Sequence, residues 1–81
     1  MALVVVTAPL GGEFPGGARE FAVEAASVFE LVRQLDALSP GVAEFIEAQV
    51  SIAVDGVLIG DWSTRLTAAS EVMLVPHIAG G

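Results

Sequence analysis

The chain has 81 residues, 54% of them hydrophobic, and ten acidic side chains against three basic ones, for a formal net charge of −7. That length allows one small domain with a single modest core, and so much apolar surface excludes a disordered tail or a solvated linker. The charge repels phosphate backbones and anionic lipid heads, which argues against nucleic acid and membrane as partners, and the absence of cysteine removes disulfides, thiolate nucleophiles and sulfur ligands together.

In chain order, Leu3 to Thr7 is a β-branched apolar run without alternation, the pattern of a strand buried on both faces at the centre of a sheet. Gly11-Gly12 and Gly16-Gly17 then punctuate a turn region around Glu13 and Phe14, and Glu20-Phe21-Ala22-Val23-Glu24 alternates polar and apolar, so the first strand is expected to turn back into an edge strand. Ser27-Val28-Phe29-Glu30 has the spacing of a capping box, with Ser27 accepting from the third helical amide and Glu30 reaching back to the cap's own amide. The helix that follows carries Val28, Leu31, Val32, Leu35 and Leu38 on one stripe, and Ser39-Pro40-Gly41 ends it. Val42, Phe45, Ile46 and Gln49 suggest a short second helical turn or two.

Val50 to Val54 and Val57 to Ile59 flank Asp55-Gly56, the signature of two strands joined by a tight turn with positive φ. Gly60 to Thr67 reads as irregular, anchored by Trp62 and Leu66. Val72-Met73-Leu74-Val75 is a second continuous apolar run, ended by Pro76. The order strand, strand, helix, strand, strand, strand, with the two apolar runs first and last and parallel at the centre, gives an α+β fold. It is a ubiquitin-like β-grasp, a mixed sheet of four to five strands with one main helix packed across it. The expected domain covers residues 1–76, and residues 77–81 form a flexible tail.

No apolar run approaches the roughly 18 to 20 residues that span a bilayer, and Met1 to Val6 lacks the basic start of a signal peptide, so the expected location is cytoplasmic. An enzyme active site is hard to assemble from a single histidine, His77, with no cysteine; Arg19, Arg33 and Arg65 account for all three basic residues, so there is no lysine either. The expectation is a protein that is not an enzyme, with no metal site and no cofactor bound by itself. The paired glycines near the amino terminus lack the lysine and hydroxyl of a phosphate-binding loop, and Glu44 and Glu47 read as a solvated helix face.

The ending His77-Ile78-Ala79-Gly80-Gly81 is different in kind. Glycine loses the most freedom on ordering, so two at a terminus do nothing for folding but make a thin peptide able to enter a narrow channel. A terminal glycine carboxylate is also sterically open to activation.

These residues together resemble the MoaD/ThiS family of ubiquitin-like sulfur carriers over nearly the whole length. The resemblance rests on the helix Ser27 to Leu35, the strand pair Ile52 to Leu58, and a last strand running through Pro76 into the Gly-Gly end. The length is nearer the molybdopterin synthase small subunit than the shorter thiazole-pathway carrier. Departures are Ala69-Ser70-Glu71-Val72 in place of Gly-Asp-Glu-Val, His77 where a second proline is common, and a long glycine-rich first hairpin without the usual basic residues. The resemblance implies that a ubiquitin-activating-like adenylyltransferase uses ATP to adenylate Gly81, which then becomes a thiocarboxylate. Gly80, Ala79, Ile78 and His77 would enter a larger synthase subunit or a sulfur acceptor enzyme. The leading role it implies is sulfur delivery in molybdopterin or related cofactor synthesis; the alternatives are a protein modifier joined through Gly81 to amines, a sulfur carrier for thiamine, cysteine or secondary-metabolite synthesis, or a β-grasp interaction module with an incidental tail. Exposed apolar residues of the sheet, Met73 among them, with Ile78 of the tail, are the expected contacts.

Overall fold

A parallel pair of apolar strands organises the molecule. In the computed structural model, which describes residues 1–7 and 20–77, β1 (Ala2–Val6) lies beside β5 (Glu71–Pro76), in register from Leu3 opposite Glu71 to Val6 opposite Leu74. β2 (Glu20–Val23) pairs antiparallel with β1, while β3 (Val50–Val54) and β4 (Val57–Ile59) continue the sheet beyond β5, giving the order β2-β1-β5-β3-β4. This is the mixed five-stranded sheet that the sequence order implies. The glycine-rich turn between β1 and β2 lies outside the described residues.

Helix α1 (Val28–Leu38) crosses one face and buries Val28, Leu31, Val32 and Leu35 completely or nearly so. The Ser27 hydroxyl accepts from the Glu30 amide at 3.2 Å, whereas the Glu30 carboxylate accepts from the amide of Ala26, not of the cap itself. The correction follows from what surrounds the helix start. Ser27 forms a bridge with Arg65, and the carbonyls of Thr64 and Trp62 accept the helix's first two amides at 3.0 and 2.8 Å, so the orphan donors of the first turn are met by the 60–67 loop. Leu66 is buried and Trp62 half-buried there, as expected of the loop's anchors. Ser27→Ala is expected to cost about 1 kcal/mol, read as a lowered urea midpoint.

Leu38 departs from the expected stripe: at 72% exposure it is the last helical residue and contributes to the rim of a shallow apolar groove with Met1 and Phe21. The second helical piece is a full α2 (Val42–Gln49), burying Val42 and Ile46. Gly41 at its N-cap has φ of 102° and no side chain to cap with; the Asp36 carboxylate, on α1, accepts from the Gly41 and Ala43 amides instead. Asp55 and Gly56 both take positive φ, 50° and 84°, as the two-residue hairpin requires. The Asp55 main-chain N–H and carboxylate bond to the carbonyl and amide of Glu71, tying the hairpin to the start of β5.

The two continuous apolar runs are not buried on both faces. Val4, Val6, Val72 and Leu74 are at 0 to 2% exposure, yet Leu3 is 36% and Met73 37% exposed. The core cluster lies on one face, with both helices, so the alternation natural to any strand leaves every second residue of these strands on an uncovered side.

Candidate functional site

The uncovered face can be read row by row from the strand registers. One row runs Glu20, Val5, Met73, Ala53, Leu58 across all five strands; the rows on either side are Ala22, Leu3, Glu71 and Val75, Ser51. At its centre the face is apolar, with Leu58 67% exposed at the β4 edge. Glu20 and Glu71 lie within it and Asp55 at its hairpin end, all exposed. The described arginines are elsewhere, Arg33 on α1 and Arg65 against the start of α1. An apolar patch whose charged neighbours among the described residues are Glu20, Glu71 and Asp55 suits a partner surface that is apolar and bordered by lysine or arginine, the charge acting mainly on encounter rate.

The end of β5 leads to this same face. Pro76 is the last strand residue and pairs with Val50. Main-chain groups alternate sides along a strand, and the His77 N–H donates to the Gln49 carbonyl at 2.8 Å on the β3 side. The imino nitrogen of Pro76 therefore faces the β1 side, just past the bond from the Thr7 N–H to the Leu74 carbonyl at 3.1 Å, where proline has no N–H to continue the β1–β5 ladder. The His77 ring lies against Ser51, with Nδ1 3.3 Å from the Ser51 Oγ. His77 is exposed, and its side chain belongs to the same face as Val75 and Met73.

Of the residues expected to form the site, His77 is thus placed at the margin of the apolar face, and Met73 at its centre. Ile78, Ala79, Gly80 and Gly81 lie outside the described residues. Leu3, Val5 and Leu58 were not singled out from the sequence; the signal was present in the length of the apolar runs, which need only one covered face to be strands. Among the described residues no three His, Cys, Asp or Glu side chains gather as metal ligands, and no helix is long and apolar enough to cross a membrane. On the helical side Phe29, 57% exposed, meets Trp62 edge to face with centroids 6.3 Å apart. Beyond Trp62 in the chain's reverse direction, the exposed Asp61 is held below the usual carboxylate range by the main-chain N–H and then the hydroxyl of Ser63.

A family model described as the ThiS family matches residues 13–81. Among solved structures, the chain is similar to CysO of Mycobacterium tuberculosis at 17% identity, covering 96% of this chain and all of that one with a TM-score of 0.81. It is similar at 24% identity to a chain of the complex of subunits 1 and 2 of the molybdopterin-converting factor from Helicobacter pylori, covering 99% and 97% with a TM-score of 0.70. Small archaeal modifier protein 1 of Methanosarcina acetivorans matches at 19% identity over 99% and 95%, with a TM-score of 0.77. At these identities the likeness establishes the fold, a ubiquitin-like β-grasp. A comparison with curated protein sequences finds no match.

Proposed function

We propose a carrier function from one premise: the chain belongs to the ThiS family, whose members are ubiquitin-like sulfur carriers. In this reading the Gly81 carboxylate attacks the α-phosphorus of ATP held by an adenylyltransferase, releasing pyrophosphate and forming an acyl-adenylate. Hydrosulfide then attacks the acyl carbon, forming the C–S bond as the bond to AMP breaks, and leaves a thiocarboxylate, whose sulfur passes to a precursor in molybdopterin or related cofactor synthesis. In this reading the reacting group that the chain supplies is that carboxylate. ATP belongs to the partner's site, and the later sulfur acceptor is a larger synthase subunit or another enzyme.

The observation that carries this reading is the continuity of the apolar, acid-rimmed face with the root of the Gly-Gly tail at His77. A partner seated on Met73 would also meet the exposed His77, the last described residue before the Gly-Gly end. Two of the similar structures are complexes, BexX with CysO from Amycolatopsis orientalis and the two converting-factor subunits, which supports a protein partner for this fold. Mass spectrometry of the protein co-produced with its activating enzyme is expected to show the gain of one sulfur for one oxygen, and repeated absence of that gain overturns the reading. Met73→Glu is expected to raise the KM for the carrier in ATP–pyrophosphate exchange by about tenfold or more, the scale of a central interface residue, with the thermal midpoint little changed.

The likeness to an archaeal modifier protein favours a second reading, in which the activated Gly81 is joined to amines of other proteins. A ladder of conjugates in cells, lost on deletion of Gly80-Gly81, distinguishes it from a carrier that only delivers sulfur.

A further inference from the structure

We propose that the junction of α2 and β3 is a clamp that holds His77 and so sets the reach of the terminal arm, with Ser51 as a positioning residue. What the arm does rests on the carrier reading; the clamp itself rests on main-chain geometry. The β3–β5 register ends with Val50 opposite Pro76, but one further bond joins the strands, from the His77 N–H to the carbonyl of Gln49 at 2.8 Å. Gln49 is the last residue of α2, and carbonyls in the last turn of a helix have no partner within it. One bond thus completes a helix end and pins the residue from which the arm departs. The Ser51 hydroxyl, 3.3 Å from the His77 Nδ1, holds the ring on the apolar face. Pro76, with its fixed φ, stiffens the chain immediately before. A proline at position 77 would have no N–H to give.

The consequence is a length. From a fixed His77, residues 78–81 can extend by at most about 14 Å, and release of His77 adds one residue, about 3.5 Å. A nucleophile and its target must lie about 3 to 3.5 Å apart to react, so an arm shorter by one residue falls short of the reacting position, and an arm longer by one reaches it only at the cost of ordering the extra residue. Ser51 touches neither ATP nor the reacting carboxylate in this scheme; it acts by limiting where the arm begins.

Two measurements on the full chain test this. In the free protein, the His77 amide is expected to exchange with solvent at least about tenfold more slowly than an unstructured amide, as hydrogen-bonded amides do. Ser51→Ala is expected to speed that exchange severalfold. Exchange at the unstructured rate in the unsubstituted protein, or no change in Ser51→Ala, overturns the clamp whether or not the chain is ever activated. In ATP–pyrophosphate exchange with the adenylyltransferase of the same organism, deletion of Ala79 is expected to lower kcat/KM sharply. Adding His77→Pro, which removes the N–H and lets one more residue extend, is expected to recover several-fold of that loss. His77→Pro in the full-length arm should instead lower kcat/KM by about fivefold or more, the cost of ordering one freed residue. A failure of His77→Pro to rescue the shortened arm overturns the proposed control of reach. If the unsubstituted protein gives no exchange of pyrophosphate, the carrier reading fails with it, and the amide measurement alone decides the clamp.

Discussion

Deletion of Gly80 and Gly81 is expected to leave a protein that melts as the full chain does and that no adenylyltransferase activates. The two halves of that result have separate causes. The core is built from residues between Val4 and Leu74, and the tail's glycines have no side chain to add to it. Chemically, the deletion moves the carboxylate onto Ala79, beside a methyl group, and draws it back by two residues, about 7 Å at full extension. Misplacement of a reacting group by even about 1 Å can cost a hundredfold, so ATP–pyrophosphate exchange should fall by at least about that factor, and the sulfur-for-oxygen mass gain should vanish. A shortened protein that is still activated at a comparable rate would make the Gly-Gly end incidental and return the molecule to a simple β-grasp interaction module. A truncated protein that fails to fold would show that the tail is part of the domain, against the division at residues 76 and 77.

The second large effect is on stability. Leu74→Ala is expected to lower the unfolding free energy by about 2 to 5 kcal/mol, while Met73→Ala, one residue away, should lower it by less than about 1 kcal/mol, since surface substitutions seldom do more. Leu74 is fully buried in the central strand, between Val6 on β1 and Ile52 on β3, and its carbonyl also receives the amide and hydroxyl of Thr7. Met73 points to the uncovered face and is 37% exposed. A domain of this length has a total stability of about 4 to 12 kcal/mol, and each kcal/mol moves the melting temperature by about 4 to 8 °C. The leucine variant should therefore melt about 8 to 40 °C lower on this scale, or be partly unfolded at room temperature. Equal effects of the two substitutions in urea titrations would mean that the sheet is covered on both faces.

That pair of neighbours also marks the boundary between what the residues announce and what packing decides. Val72-Met73-Leu74-Val75 is strand-like from β-branching and hydrophobicity alone, and its pairing beside β1 follows from the element order. Which of the four faces the helices is a matter of parity, and parity is set by contacts with α1 and α2 that no local window contains. A run of apolar residues is compatible with one covered face or two. Only the number of helices and where they cross tells them apart. The same holds for the start of α1, where the pattern of Ser27 and Glu30 is local, but the amide that Glu30 accepts from depends on a loop more than 30 residues later in the chain, through the bridge of Ser27 to Arg65.

The sequence by itself determined the β-grasp order, the capped helix and its buried stripe, and the Asp55-Gly56 turn. Each depends on periodicity or turn chemistry, both properties of residues close together in the chain. Tertiary structure alone decided that the central strands are open on one side, that the exposed side is apolar with an acidic rim, and that His77 is bound to Gln49 and Ser51 where the tail begins. Those depend on which distant segments meet, because a face becomes a docking surface only when the fold leaves it uncovered, and a tail acquires a length only from the last point at which it is held.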